Sequence, residues 1–216
     1  IKNGKKSTMT RDLSEFPVIV RYNEAVKIIR KIHDMHEETM DSIISSISPY
    51  GLPTSTRGID KKDNFHTIKL YSSKGISYIS KNIINKGLGT VNTYRSMISQ
   101  TSAEHAGEPS SDGKFRVLTK SMQVMKPNEV CTHSYIYAGT FNNVEEAQNV
   151  IGYIRTKFVR FLLLQALTSI HISKSTFVFV PMQNFKEKWD DLKLIKKYGL
   201  TSDEEAYINS FIKEMA

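Results

Sequence analysis

The sequence predicts an α+β fold in which mixed or antiparallel strands pack with several helices. Three observations carry that prediction. Residues 65–80 alternate in two short runs, Ile68 and Leu70, then Ile76 and Tyr78, around Ser72-Ser73-Lys74-Gly75. That is the period and turn chemistry of a hairpin. Residues 144–165 instead place Ala147, Val150, Ile151, Ile154, Phe158, Phe161 and Leu162 at three- and four-residue steps, the wide apolar stripe of a long amphipathic helix. Helix-start signals also recur, with Asn143 three before Glu146 and Thr201 three before Glu204.

The other elements follow in chain order. Residues 16–20 are a short apolar run, read as a strand or extended entry. Asn23 is placed to cap a helix whose apolar positions run from Val26 to Ile47, with a break near Glu37. Pro49-Tyr50-Gly51-Leu52-Pro53-Thr54 ends it as a rigid turn. Residues 93–99, 115–119, 132–138 and 176–180 read as strands, the last stopped by Pro181. Residues 101–113 form a long polar loop. A short helix at 191–198 stops at Gly199, and a last one runs from Thr201 through Met215. No internal repeat or low-complexity linker divides the chain. We therefore expect one domain over 1–216, with sub-lobes at 1–126 and 127–216.

Composition excludes several classes. At 39% hydrophobic and 24% charged residues the chain is neither disordered nor fibrous. The most apolar run, 158–166, is interrupted by Arg160 and Gln165. It falls short of the ~20 residues that span a bilayer, so no membrane partner is expected. A single Cys131 excludes an internal disulfide framework and fits a reducing, cytoplasmic compartment. The chain opens at Ile1 without an initiator methionine, so a piece of a longer protein is expected.

The net charge of +8 is local. Residues 42–126 hold 12 basic and 5 acidic side chains, which accounts for seven of the eight. No acid occurs between Asp63 and Glu104, while Phe65, Tyr71, Tyr78 and Tyr94 interleave with lysines. Removing carboxylates removes what would repel phosphate, and aromatic rings stack or bond along a nucleic-acid backbone. A solvated lysine face is the plain alternative.

Catalytic motifs are sparse. Gly87-Leu88-Gly89 lacks a third glycine, with Asn92 at that place, and no Pro-Pro dipeptide or phosphate-binding Gly-Lys-Ser/Thr loop occurs. His33 and His36 share a helical face without an evident third metal ligand. Asp60-Lys61-Lys62 and Asp191-Leu192-Lys193 match the end of a metal-dependent nuclease signature, a match expected by chance in so charged a chain. The chain by itself reads as non-catalytic.

Its C-terminal third nevertheless carries a recognisable text. It runs through Cys131-Thr132-His133-Ser134-Tyr135, Ala138-Gly139-Thr140-Phe141, Tyr153-Ile154-Arg155-Thr156-Lys157-Phe158-Val159-Arg160-Phe161-Leu162, Phe179-Val180-Pro181-Met182-Gln183-Asn184-Phe185, Trp189 and Lys197-Tyr198-Gly199-Leu200-Thr201. Upstream stands Pro49-Tyr50-Gly51-Leu52-Pro53-Thr54. In combination these resemble bacterial restriction–modification enzymes of the N6-adenine DNA methyltransferase class, densely over 115–216, loosely over 17–57 and not over 100–114. The resemblance implies a target-recognition region that grips double-stranded DNA for a methyltransferase domain of the same polypeptide. S-adenosylmethionine would bind in that other domain, so no cofactor is expected here, and the compartment would be a bacterial cytoplasm.

For the DNA surface the charge pattern nominates Arg57, Lys61, Lys62, Lys69, Lys74, Lys81, Arg95, Arg116 and Lys120, joined by Arg155, Lys157 and Arg160 on the long helix. Arg57 and Arg95 are the base-reading candidates, because a guanidinium bonds guanine bidentately and an ammonium does not. Two alternatives stay open from sequence: a metal-dependent restriction endonuclease domain using Asp60 or Asp191, and a non-catalytic protein-interaction domain.

Overall fold

The structure is a computed structural model that describes residues 7–104 and 108–215. It is an α+β fold. Among the described residues, two three-stranded sheets carry the strands: β1 (Ile68–Ser72), β2 (Gly75–Ile79), β3 (Tyr94–Ser99), β4 (Gln123–Met125), β5 (Glu129–Cys131) and β6 (Tyr135–Phe141). One sheet is ordered β2-β1-β5, with β1 antiparallel to β2 and parallel to β5. The other is ordered β4-β3-β6 and is antiparallel throughout. The helices are α1 (Val26–His33), α2 (Val144–Arg155), α3 (Lys157–Ala166), α4 (Asp191–Lys197) and α5 (Ser202–Phe211).

The two-residue period of β3 explains the layering. Ser96 and Ile98 face the helices, where Ser96 Oγ donates to the Ala147 carbonyl at 2.7 Å and Ile98 joins the main core. Arg95 and Met97 face the other way, and Met97 joins a second apolar cluster with Tyr50, Leu70, Ile79, Val130 and Tyr137. Strand β6 alternates likewise, Ile136 and Ala138 to the helices and Tyr137 to the second cluster. The β4-β3-β6 sheet is thus a wall between a helical core and a smaller lobe. That lobe draws on residues 50–97 and 125–137, so the cores do not divide at residue 126. Gly139, at φ 65°, supplies the extra residue of a bulge where β6 passes Tyr94.

Local signals for the hairpin and for three helix ends are realised. Asn143 caps α2, Thr201 and Glu204 form a reciprocal capping box on α5, and Gly199, at φ 57°, closes α4. Each such N-cap contributes about 1 kcal/mol. Burial pulls the Glu204 carboxyl up, but Lys31 at 2.7 Å and the Thr201 amide outweigh it and hold it below the usual carboxylate range.

Other expectations differ, each for a tertiary reason. Residues 16–20 form no strand; Arg21 N instead donates to the Gln165 carbonyl at 3.1 Å. The helix expected to Ser48 stops at His33, because residues 38–40 bond to Val180 and Met182. Met40 and Ile44 are still buried, on a different backbone. The helix expected over 144–165 is two helices broken at Thr156, whose ψ is 151°. Residues 176–180 form no strand: a 3-10 turn, Lys174–Phe177, occupies their start. Val117, at φ 71°, interrupts the strand expected at 115–119, and Phe115 instead bridges to Ile212, just past the end of α5. Strand β6 starts at Tyr135, after a turn at Thr132–Ser134. Of the loop expected at 101–113, residues 105–107 lie outside the described residues. Among the described residues no helix is long and apolar enough to cross a membrane.

Candidate nucleic-acid interface

The twelve nominated cations fall into distinct environments. Two of the expected DNA contacts, Arg95 and Arg160, are instead closed off from solvent inside the fold. Arg95 is 0% exposed, on the face of β3 that looks into the smaller lobe. Its guanidinium donates to the Tyr50 hydroxyl and to the carbonyls of Thr93 (3.1 Å), Val91 (3.3 Å) and Lys126 (2.8 Å). Burial pushes the Tyr50 phenol up to about 12, so its oxygen meets Arg95 as a neutral hydroxyl. Arg160 is 1% exposed and donates to the carbonyls of Arg155, Arg116 and Lys213, tying α3 to two distant segments. Both serve as internal cross-links.

Two lysines are already neutralised. Lys69 lies 3.3 Å from Glu129 and over the Tyr71 ring, whose hydroxyl also bonds Glu129. Lys157 pairs with Glu214. Arg116 is half-buried, and Arg155 is exposed at the end of α2, in the helical layer. Arg57, Lys61, Lys62, Lys74, Lys81 and Lys120 are exposed.

Three of these cations adjoin one groove, Arg57 through a hydrogen bond and Lys74 and Lys120 through their chain neighbours. A groove of about 570 Å³ opens where β3 ends and β6 begins. Ser99, Gln100, Thr101, His133, Ser134 and Tyr135 line it, with Thr54, Ser73, Ser121 and His171 around them. A second hollow of about 390 Å³ shares Gln100, His133 and His171 and continues along Thr168, Ser169, Ser173, Ser175 and Thr176. Among the described residues, no carboxylate lines either. Arg57 donates to the carbonyl of the lining residue Thr54 at 2.7 Å, and Lys74 and Lys120 are the chain neighbours of lining residues Ser73 and Ser121. Lys174, exposed between Ser173 and Ser175, adds a fourth cation that the charge pattern did not nominate.

The floor is stitched by backbone bonds between remote segments. Gln100 N donates to Ser134 O at 2.9 Å, Ile172 N to Gln100 O at 2.7 Å and His133 N to Leu52 O at 2.8 Å. With its main chain so engaged, Gln100 is only 6% exposed. Its carboxamide, like the His133 and His171 rings, has no hydrogen-bond partner among the described residues, yet these three residues line both hollows. Hydroxyls, a carboxamide and imidazoles are donors that phosphate and sugar oxygens accept. Gln100 and His171 were missed from sequence; their only signal is a polar run following an apolar one.

The remaining chemistry-bearing residues stand elsewhere. A third hollow, about 360 Å³, carries Glu37 among apolar walls of Ile29, Ile32 and Phe179. His33 and His36, both exposed, also line it, and among the described residues no group of three His, Cys, Asp or Glu is placed to hold a metal. Cys131 is fully buried, which pushes its thiol up to about 12, while His133 faces the groove. Asp191 accepts from the amides of Lys157 (3.1 Å) and Phe158 (2.8 Å), so it caps α3. Asp191→Ala is expected to lower unfolding free energy by about 1–2 kcal/mol in a urea titration while leaving duplex affinity unchanged. Comparison with known proteins found no matching family model, no matching curated protein and no matching solved structure.

Proposed function

We propose that this chain binds double-stranded DNA sequence-specifically, as the target-recognition region of an S-adenosylmethionine-dependent adenine-N6 DNA methyltransferase of a restriction–modification system. The observation that carries the binding is the carboxylate-free groove with Arg57, Lys74 and Lys120 beside it. Its donors and the adjoining cations hold one phosphodiester strand and fix register, and the tip of the exposed loop at 57–66 supplies contacts to the bases. The resemblance of residues 115–216 supports the methyltransferase context. Methyl transfer and its cofactor belong to the tethered domain, and no residue of this chain is assigned to them.

The test is selection of bound duplexes from a random pool, followed by titration of the recovered duplex at several salt concentrations. One consensus sequence is expected, with log affinity falling linearly in log salt. A pool that stays random after repeated rounds overturns sequence-specific recognition. Absence of any salt-dependent binding overturns DNA binding altogether.

A further inference from the structure

Phe65 is 80% exposed, more than any other large hydrophobic side chain among the described residues. Five of the twelve exposed large hydrophobics (Ile59, Phe65, Ile76, Ile83 and Leu88) lie between residues 59 and 88, in the smaller lobe and its loops. Scattered apolar side chains on a surface are ordinary. A phenyl ring held out in water by a fixed backbone is not, because a loose loop would fold its ring back against the lobe.

The loop that carries the ring is fixed at both ends. At its base, Ile59 and Tyr78 exchange backbone hydrogen bonds of 3.0 and 2.8 Å, which adds the loop to the free edge of β2. Gly58 permits this approach, since a Cβ there would sit 2.2 Å from the Tyr78 carbonyl oxygen. At its tip, Asp63 Oδ1 accepts from the amides of Phe65 (2.8 Å) and His66 (2.6 Å), and the His66 ring lies 3.0 Å from the same carboxylate. Such a turn sets the backbone without burying a side chain. Lys61 and Lys62 precede the ring, exposed and without a hydrogen bond or ion pair among the described residues. Of the two acids beside them, Asp63 is engaged in the turn and Asp60 is exposed. Arg57, in the same loop, bonds Thr54 in the groove wall, so loop and groove adjoin.

The geometry points to Phe65 as a wedge that enters duplex DNA between two stacked base pairs, with Lys61 and Lys62 on the phosphates beside it. The inference rests on the DNA reading above and adds a deformation to it. Apolar wedges partly unstack the step they enter and kink the duplex by about 20–90°. Because the ring is already positioned, entry orders little of the protein, and base faces replace the water around it. Pyrimidine–purine steps yield most easily, so the bound site is expected to contain TA, CA or TG at the wedge position.

The experiment uses the full chain and a duplex recovered from the random pool, with the fluorescent base 2-aminopurine scanned through it. The wild type is expected to raise fluorescence at one step, marking unstacking there. Phe65→Ala should abolish that rise and weaken binding roughly 5- to 150-fold, while Phe65→Trp restores both. Since the ring is exposed, thermal unfolding should be the same in all three proteins. Unstacking unchanged by Phe65→Ala, or no step unstacked by the wild type, overturns the wedge and leaves DNA binding standing. Failure to recover any duplex overturns the DNA reading and the wedge together. Phe65→Ala binding the duplex as the wild type does likewise overturns the wedge.

Discussion

Alanine at Arg57, Lys74 and Lys120 together is expected to weaken duplex binding roughly 100-fold near physiological salt and to flatten its salt dependence. Each phosphate neutralised contributes about 0.9 to the slope of log affinity against log salt, so three contacts contribute about 2.7. The free energy per contact follows from the counterions released, and three of them make up about 3 kcal/mol at such salt. All three side chains are exposed, and among the described residues only Arg57 of the three finds hydrogen-bond partners, the carbonyls of Thr54 and Thr56. The triple variant should therefore unfold at the same urea concentration as the wild type. Lys69→Ala and Lys157→Ala serve as controls, since Glu129 and Glu214 already neutralise those charges. Their slopes should match the wild type. A triple variant with an unchanged slope would falsify the placement of phosphates in this groove.

Arg95→Ala should have the largest effect on the fold, lowering unfolding free energy by about 3–5 kcal/mol. The guanidinium satisfies the carbonyls of Val91, Thr93 and Lys126 and the Tyr50 hydroxyl, inside the smaller lobe. Its removal leaves those acceptors facing a void that water fills poorly. Domains of this size are stable by only about 5–15 kcal/mol, so the loss is a large share. Arg95→Lys should recover little, because one ammonium cannot span acceptors arranged around a planar fork. Urea unfolding followed by circular dichroism reads both variants. A stability within error of wild type for Arg95→Ala would contradict the cross-linking role, whereas lost DNA specificity on an intact fold would restore the base-reading one.

What sequence reasoning recovers, and what it misses, divides by range. The hairpin turn that closes Ser72 on Gly75, the caps at Asn143 and Thr201 and the stop at Gly199 are local devices whose partners lie within four residues. They are legible because the chemistry and the backbone it shapes share one short window. The break at Thr156 is not legible. The apolar stripe runs through it unchanged, and although Thr156 Oγ1 takes the Val159 amide, the group that receives the Lys157 and Phe158 amides, Asp191, lies more than thirty residues further on. The helix expected to reach Ser48 fails for the same reason: residues 38–40 take their hydrogen bonds from Val180 and Met182.

Charge shows the same division. The acid-free stretch between Asp63 and Glu104, and the concentration of seven net charges in residues 42–126, are properties of the sequence alone. Together with its apolar periods they determine an α+β chain with a basic middle. Which cations meet solvent was decided only by the tertiary structure. Arg57 and Arg95 are indistinguishable as isolated guanidiniums, yet one lies exposed beside a polar groove and the other is closed in by carbonyls from both sides of the smaller lobe. A side chain's own type sets what it can bond. Whether water or a ring of buried acceptors surrounds it depends on residues that only folding brings near.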